Sequence, residues 1–170
     1  MTQGELKGDW SLIAACSVRS EIPFINDEEP DPSGVFNWLN GFDDELVANA
    51  KPTSGLTMTI KPDGQFVERL SGTPAVYWFD EEGVLQEEVT PFSGMVVDTE
   101  QASYLCPASI PKWATPVSGR YGTAVLRYDD GDTKISDAVR RIGHQLVRTV
   151  NVVTDELYLD RVVILYQRVE

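Results

Sequence analysis

Few side chains here are equipped for chemistry, and their types narrow what that chemistry can be. The chain has one histidine, His144, and two cysteines, Cys16 and Cys106, which stand alone with no metal-like spacing. A single imidazole excludes multi-histidine zinc sites and paired-histidine haem sites. There is no glycine-rich phosphate loop and no nucleophile elbow. Acid–base and electrostatic chemistry remain, with no cofactor and no metal expected. His144 can act as a general base, because a modest shift brings an imidazole to working pH; the alternative is a surface or structural histidine at a strand start. Glu68 is a second candidate. If Phe66 and Leu70 in QFVERL point inward, Glu68 does too, since strand residues two apart share a face. Tyr121 is a third, able to polarise a carbonyl.

Binding residues follow from the same alternation. His144, Leu146, Arg148, Val150 and Val152 share one strand face, and Leu157, Leu159, Arg161, Val163 and Leu165 share another. A buried arginine costs several kcal/mol unless paired, so Arg148 or Arg161 inside calls for a carboxylate, and Glu68 is the obvious one. The other register puts these charges outside, and both stay open. Trp38, Tyr77, Phe79 and Tyr121 either line an aromatic pocket or lid, or pack in an ordinary core; Phe66 and Val163 complete the ligand-binding set. Asp27–Glu28–Glu29 and Asp43–Asp44–Glu45 lack the spacing and central glycine of a calcium loop and read as solvated helix starts.

The elements that must position these residues are mostly strands. From Gly143 to Glu170, two runs rich in Val, Leu, Ile, Thr and Tyr flank the polar turn Thr154–Asp155–Glu156, which describes a long β-hairpin. Its second run, Leu157 to Val169, is apolar on both faces, so it must be covered twice: by its own sheet's core and by something outside. The first strand spans Trp10 to about Val18. Residues 19–54 then form an insertion too long for a simple connection, apolar enough to carry one or two short helices. Asp31–Pro32–Ser33 and Asp43–Asp44–Glu45 mark helix starts, with a stop at Gly41.

From Gly55 the punctuation is regular. GLTMTI–KPDG–QFVERLSG is a hairpin, and TPAVYWF–DEEG–VLQEEVTPFSGMVV another, turning at Asp80 to Gly83. A strand lies around Ala102 to Cys106, and PASIPKWATP with its three prolines is a loop. Arg120 to Tyr128 pairs across DDGD with Thr133 to Ile135. Ser136 to Ile142 reads as a short helical turn. About eight to ten sequential strands suggest a sandwich or an up-and-down barrel. Joining the first strand to the last removes both exposed edges, which favours an all-β, antiparallel up-and-down barrel with a lid inserted after its first strand.

The 170 residues form one domain, with a formal charge of −13. That charge repels nucleic-acid phosphate and anionic lipid, so neither nucleic acid nor membrane is an expected partner. The opening residues lack the pattern of a signal peptide, and no window nears the ~20 apolar residues that span a bilayer. A cytoplasmic monomer or homodimer is expected, its cysteines reduced.

Gly8–Asp9–Trp10, opening the first strand, is similar to the Gly-x-Trp signature of the lipocalins. The terminal strand with Tyr166 and Arg168 resembles the C-terminal end of lipocalin-like and fatty-acid-binding barrels, the calycins, and SGLTMTIKPDGQFVE looks like a hairpin of small bacterial lipocalin-like domains. The arginine-x-tyrosine of fatty-acid-binding barrels is absent, since Ile164 stands two residues before Tyr166. The resemblance implies a cavity for one small hydrophobic ligand, and a Trp10 that closes the barrel under a basic side chain, with Arg168 the better candidate. Two functions share this architecture. One is a cofactor-independent cyclase or isomerase of a polyketide- or terpenoid-like substrate, working by orientation; the other is a non-catalytic carrier or sensor.

Overall fold

The computed structural model of the chain describes residues 3–21, 44–74, 78–79, 85–86, 91–98, 102–108, 114–119, 122–128, 133–154 and 158–170. A short helix, α1 (Gln3–Leu6), precedes β1 (Gly8–Glu21). A second, α2 (Asp44–Ala48), leads into β2 (Lys51–Pro52) and the hairpin of β3 (Leu56–Ile60) and β4 (Gln65–Leu70). Next come β5 (Trp78–Phe79), β6 (Leu85–Gln86), β7 (Ser93–Asp98) and β8 (Ser103–Pro107). The chain ends with β9 (Ala114–Gly119), β10 (Gly122–Tyr128), β11 (Thr133–Ile142), β12 (Gln145–Thr154) and β13 (Tyr158–Arg168).

Eight of these strands close a ring: β1, β3, β4, β7, β8, β11, β12 and β13, antiparallel throughout, with β13 returning to β1. Joining first strand to last satisfies two rows of backbone groups that an open meander would leave as edges. The staves are unequal. β1, β11, β12 and β13 run 14, 10, 10 and 11 residues, whereas β3, β4, β7 and β8 run only five or six. The barrel therefore has one high wall and one low wall. β10 and β9 extend from the far end of β11, and β5 and β6 pair with each other apart from the ring.

The terminal hairpin pairs as expected, from Gln145↔Gln167 to Thr154↔Tyr158; its turn lies outside the described residues. Its double coverage is also present. Val162, Ile164 and Tyr166 enter the main core with Trp10, Leu12, Met58, Ile60, Phe66 and Leu146. Val163 and Leu165 face the other way, with Val147, and pack with Leu46, Val47 and Ala50 from α2 and the residues after it. The described end of the insertion thus lies on the outside of the high wall, and the helix start at Asp43–Asp44–Glu45 falls where α2 begins. Residues 22–43, with the other expected helix start and stop, are outside the described residues.

β1 reconciles an apolar run with a single inner face by a bulge between Leu12 and Ala14. Before it, Trp10 and Leu12 point inward; after it, Ala15 does, while Ile13 and Ala14 join the outer cluster. One extra residue flips the parity of all that follows. At the β3–β4 turn, Gly64 takes a φ of 87° and its N–H donates to the Lys61 carbonyl at 3.0 Å, as the Pro-Asp-Gly sequence implies.

Two expectations are corrected. Ser136 to Ile142 is no helical turn: it belongs to β11, whose ten residues all pair with β12. Pairing across the closing ring overrides a weak local preference. The proline-rich segment is only partly a connection, since Pro116 lies in β9 opposite Val125. Among the described residues β9 pairs with β10 alone, and an edge strand tolerates a residue that lacks an N–H.

Candidate functional site

Burial along the inner face shows which end of the barrel is filled. Trp10, Leu6, Ile60, Phe66, Leu146 and Tyr166 are each no more than 1% exposed. Here the Trp10 indole N–H donates to the Leu6 carbonyl at 2.9 Å, and the Arg168 guanidinium sits 5.7 Å from the Trp10 ring centroid. The basic cover expected over Trp10 is therefore in place. Gly8 explains the first half of Gly-x-Trp: its φ is 139°, and a Cβ there would come within 3.1 Å of Arg168 Nη2. Any side chain would be strained and would push the guanidinium off the ring.

At the other end the inner face opens. On β12 the series runs from fully buried Leu146 and Arg148 through Val150 to half-buried Val152. On β4 it runs from Phe66 and Glu68, both buried, to Leu70, which is 49% exposed. On β1, Ser17 and Arg19 are half-buried. Arg19 is forked onto Asp160 of β13, Nε to Oδ1 at 2.7 Å and Nη2 to Oδ2 at 2.8 Å.

Between the two ends lies a buried ionic cluster. Arg148 donates from Nε and Nη2 to the two oxygens of Asp137 on neighbouring β11, at 2.9 and 2.7 Å. Its Nη1 donates to Glu68 Oε1. Glu68 Oε2 accepts the Phe92 N–H at 3.0 Å. β4 and β12 are four strands apart either way round the ring, so the Glu68–Arg148 pair spans the full lumen and ties the low wall to the high one. Burial would lower the Arg148 pKa, but Asp137 and Glu68 outweigh it and hold the guanidinium above its ordinary value. The cation is permanent.

Tyr166 completes the cluster. Its hydroxyl is buried and makes no hydrogen bond of normal geometry. Burial pushes the phenol well above its ordinary pKa, with the nearby Arg148 charge offsetting part of the rise. It is a neutral hydroxyl with capacity to spare, set beside a charged floor.

The residues singled out in the sequence fall into three groups. Glu68 and Arg148 are brought together as expected, with Phe66 among the apolar residues of the closed end. A second group is not brought to the cluster. His144 is exposed in the turn between β11 and β12, and four residues of strand separate it from Arg148 by roughly 13 Å. Val163 faces outward against the α2 region. Arg161, on the same outer face, donates from Nε to Asn151 Oδ1 at 2.7 Å. That strand face is shared as the alternation implies, but it is the outer one, because β13 turns Val162, Ile164 and Tyr166 inward. Of the third group, Trp38, Tyr77 and Tyr121 lie outside the described residues, and Phe79 is described only as a β5 residue opposite Leu85.

Asp137 and Tyr166 were not among the candidates. Asp137 was hidden by the helical reading of Ser136 to Ile142; as a strand, that segment puts Asp137 and Val139 on one face, opposite Val150 and Arg148. Among the described residues no group of three or more His, Cys, Asp or Glu could hold a metal ion, and no helix is long and apolar enough to cross a membrane. No protein-family model matches the chain, and no curated protein is detectably similar to it in sequence.

Proposed function

We propose that this is a lipocalin-like cytoplasmic barrel, monomeric or dimeric, that binds one small, largely apolar molecule above its ionic floor. We assign it cofactor-independent isomerisation or cyclisation of a polyketide- or terpenoid-like substrate. The observation that carries this proposal is the cluster of Glu68, Arg148, Asp137 and Tyr166 in an otherwise apolar interior. Buried polar groups cost stability unless satisfied, and a fixed array of dipoles and charges in a dry site stabilises developing charge more than water can. Eight strands enclose just enough space for side chains or one small ligand. A flexible substrate folded between Val150, Val162, Leu56 and the cluster would gain rate from orientation, with the Tyr166 hydroxyl polarising a carbonyl or epoxide oxygen.

One observation favours the rival, a carrier or sensor. Arg148 and the Phe92 N–H engage both carboxylates, so their oxygens are already taken up by the protein. The two readings separate on incubation of the protein with linear unsaturated ketones and epoxides, followed by chromatography. An isomer of equal mass, formed catalytically and lost in Tyr166→Phe, supports the enzyme. Stoichiometric binding with the compound recovered unchanged establishes the carrier and overturns the assigned reaction.

A further inference from the structure

We propose that the barrel selects an apolar molecule bearing an uncharged oxygen group and rejects its carboxylate counterpart, a selection that rests on the binding role proposed above. The charge count inside the barrel carries this. Two buried carboxylates, Glu68 and Asp137, face one buried guanidinium, Arg148, which leaves the cluster one unit negative. Above the floor, Arg19 is forked onto Asp160. Arg141 and Arg168 share the inner-face parity but sit at the closed end, where they donate to backbone carbonyls of Gly143, Glu5 and Lys7, Arg168 also lying over Trp10. From the floor upward, each inward-facing arginine among the described residues is therefore already matched by a carboxylate. A fatty acid entering that half would lose its hydration, find no uncompensated cation there and add a second negative charge beside the first. The whole chain, at −13, opposes its approach as well.

The group with unused capacity is the Tyr166 hydroxyl, buried and without a hydrogen-bond partner. It stays protonated across the ordinary pH range, so it can donate one hydrogen bond and accept another. A ketone, ester, ether or epoxide oxygen takes the donated bond, and an alcohol takes either. None brings a charge. The walls around the cluster are apolar: Val150, Val162, Ile164, Leu56 and Met58. Such a site discriminates mainly through the polar atom it would otherwise leave unpaired.

The test is calorimetric titration of the full-length protein at neutral pH with decanoic acid, methyl decanoate and decane, three probes that share one apolar chain. Methyl decanoate should bind at least roughly a hundredfold more tightly than decanoate, the separation expected for an added like charge in a low-dielectric site. It should bind about tenfold more tightly than decane, the worth of one hydrogen bond. Tyr166→Phe should erase the second difference and keep the first. Asp137→Asn balances the cluster's charge and should raise decanoate affinity about tenfold; thermal unfolding of each variant first establishes that it is folded. Decanoate binding as tightly as the ester, or tighter, overturns the selection and leaves the binding role standing. Failure of all three probes to bind overturns both.

Discussion

The high wall of β1, β11, β12 and β13 and the low wall of β3, β4, β7 and β8 enclose one lumen by different means. β1 has 14 residues and β3 has five, so the staves differ by about 30 Å in extended length. Three strands of the high wall, β1, β12 and β13, contribute to the core and also carry the outer cluster with Leu46 and Val47, and β13 accordingly holds an unbroken apolar run from Val162 to Tyr166. The low wall alternates: β3 buries Leu56, Met58 and Ile60 while Thr57 and Thr59 lie half-exposed between them. The walls meet at the Trp10 end through packing, and across the lumen through Arg148 and Glu68. Where the low wall stops, at Leu70, the inner face opens. Buried packing is thus concentrated at the closed end and in the ionic floor, and the open half is where we propose that a ligand binds.

If the floor ties the walls together, Arg148→Met should have the largest effect, since it leaves two carboxylates buried without a cation: a loss of about 3–5 kcal/mol in urea unfolding. A loss under ~1 kcal/mol would mean that the walls hold without it. Trp10→Ala removes the largest side chain of the closed end and should cost about 3–5 kcal/mol by the same measurement. A small loss would show that Trp10 does not seal the barrel. Gly8→Ala tests the seal from the other side, through a φ of 139° and a Cβ 3.1 Å from Arg168; about 1–3 kcal/mol is expected.

Tyr166→Phe sharpens the comparison through pH. The folded-state pKa of Tyr166 is raised, so its contribution is fully present below the unfolded value of about 10. It is lost as pH rises from there toward the folded value, because only the unfolded chain ionises in that window. Wild-type stability should therefore fall more steeply than that of the variant above about pH 10, by up to ~1.4 kcal/mol per pH unit. Parallel pH profiles would place the hydroxyl in water. The smallest effect belongs to the rim: Leu70→Ala, at a half-exposed position, should stay within ~0.5 kcal/mol of wild type.

Much of this arrangement was legible in the residues. Hairpin turns with proline, aspartate and glycine, long β-branched runs and the first-to-last closure all follow from local chemistry and from the need to pair strand edges. The Glu68–Arg148 pair was legible too, because a lumen-facing arginine needs a carboxylate and Glu68 shares a face with Phe66. What was not legible depends on distant partners. A bulge in β1 decides the parity of eight following residues, and no local pattern announces it. The segment containing Asp137 becomes a strand because β12 requires a neighbour to close the ring. The outward turn of Arg161 and Val163 is fixed only when Tyr166 is seen inside.

The most direct test of the central claim, that the open half above the floor holds one small apolar molecule, is native mass spectrometry of the wild-type protein and Leu70→Trp after incubation with methyl decanoate. One molecule per chain should be retained by the wild type, and much less by the variant, whose indole crowds the rim without unfolding the barrel. Equal retention by both would contradict entry above the low wall, and no retention by the wild type would contradict the binding site itself.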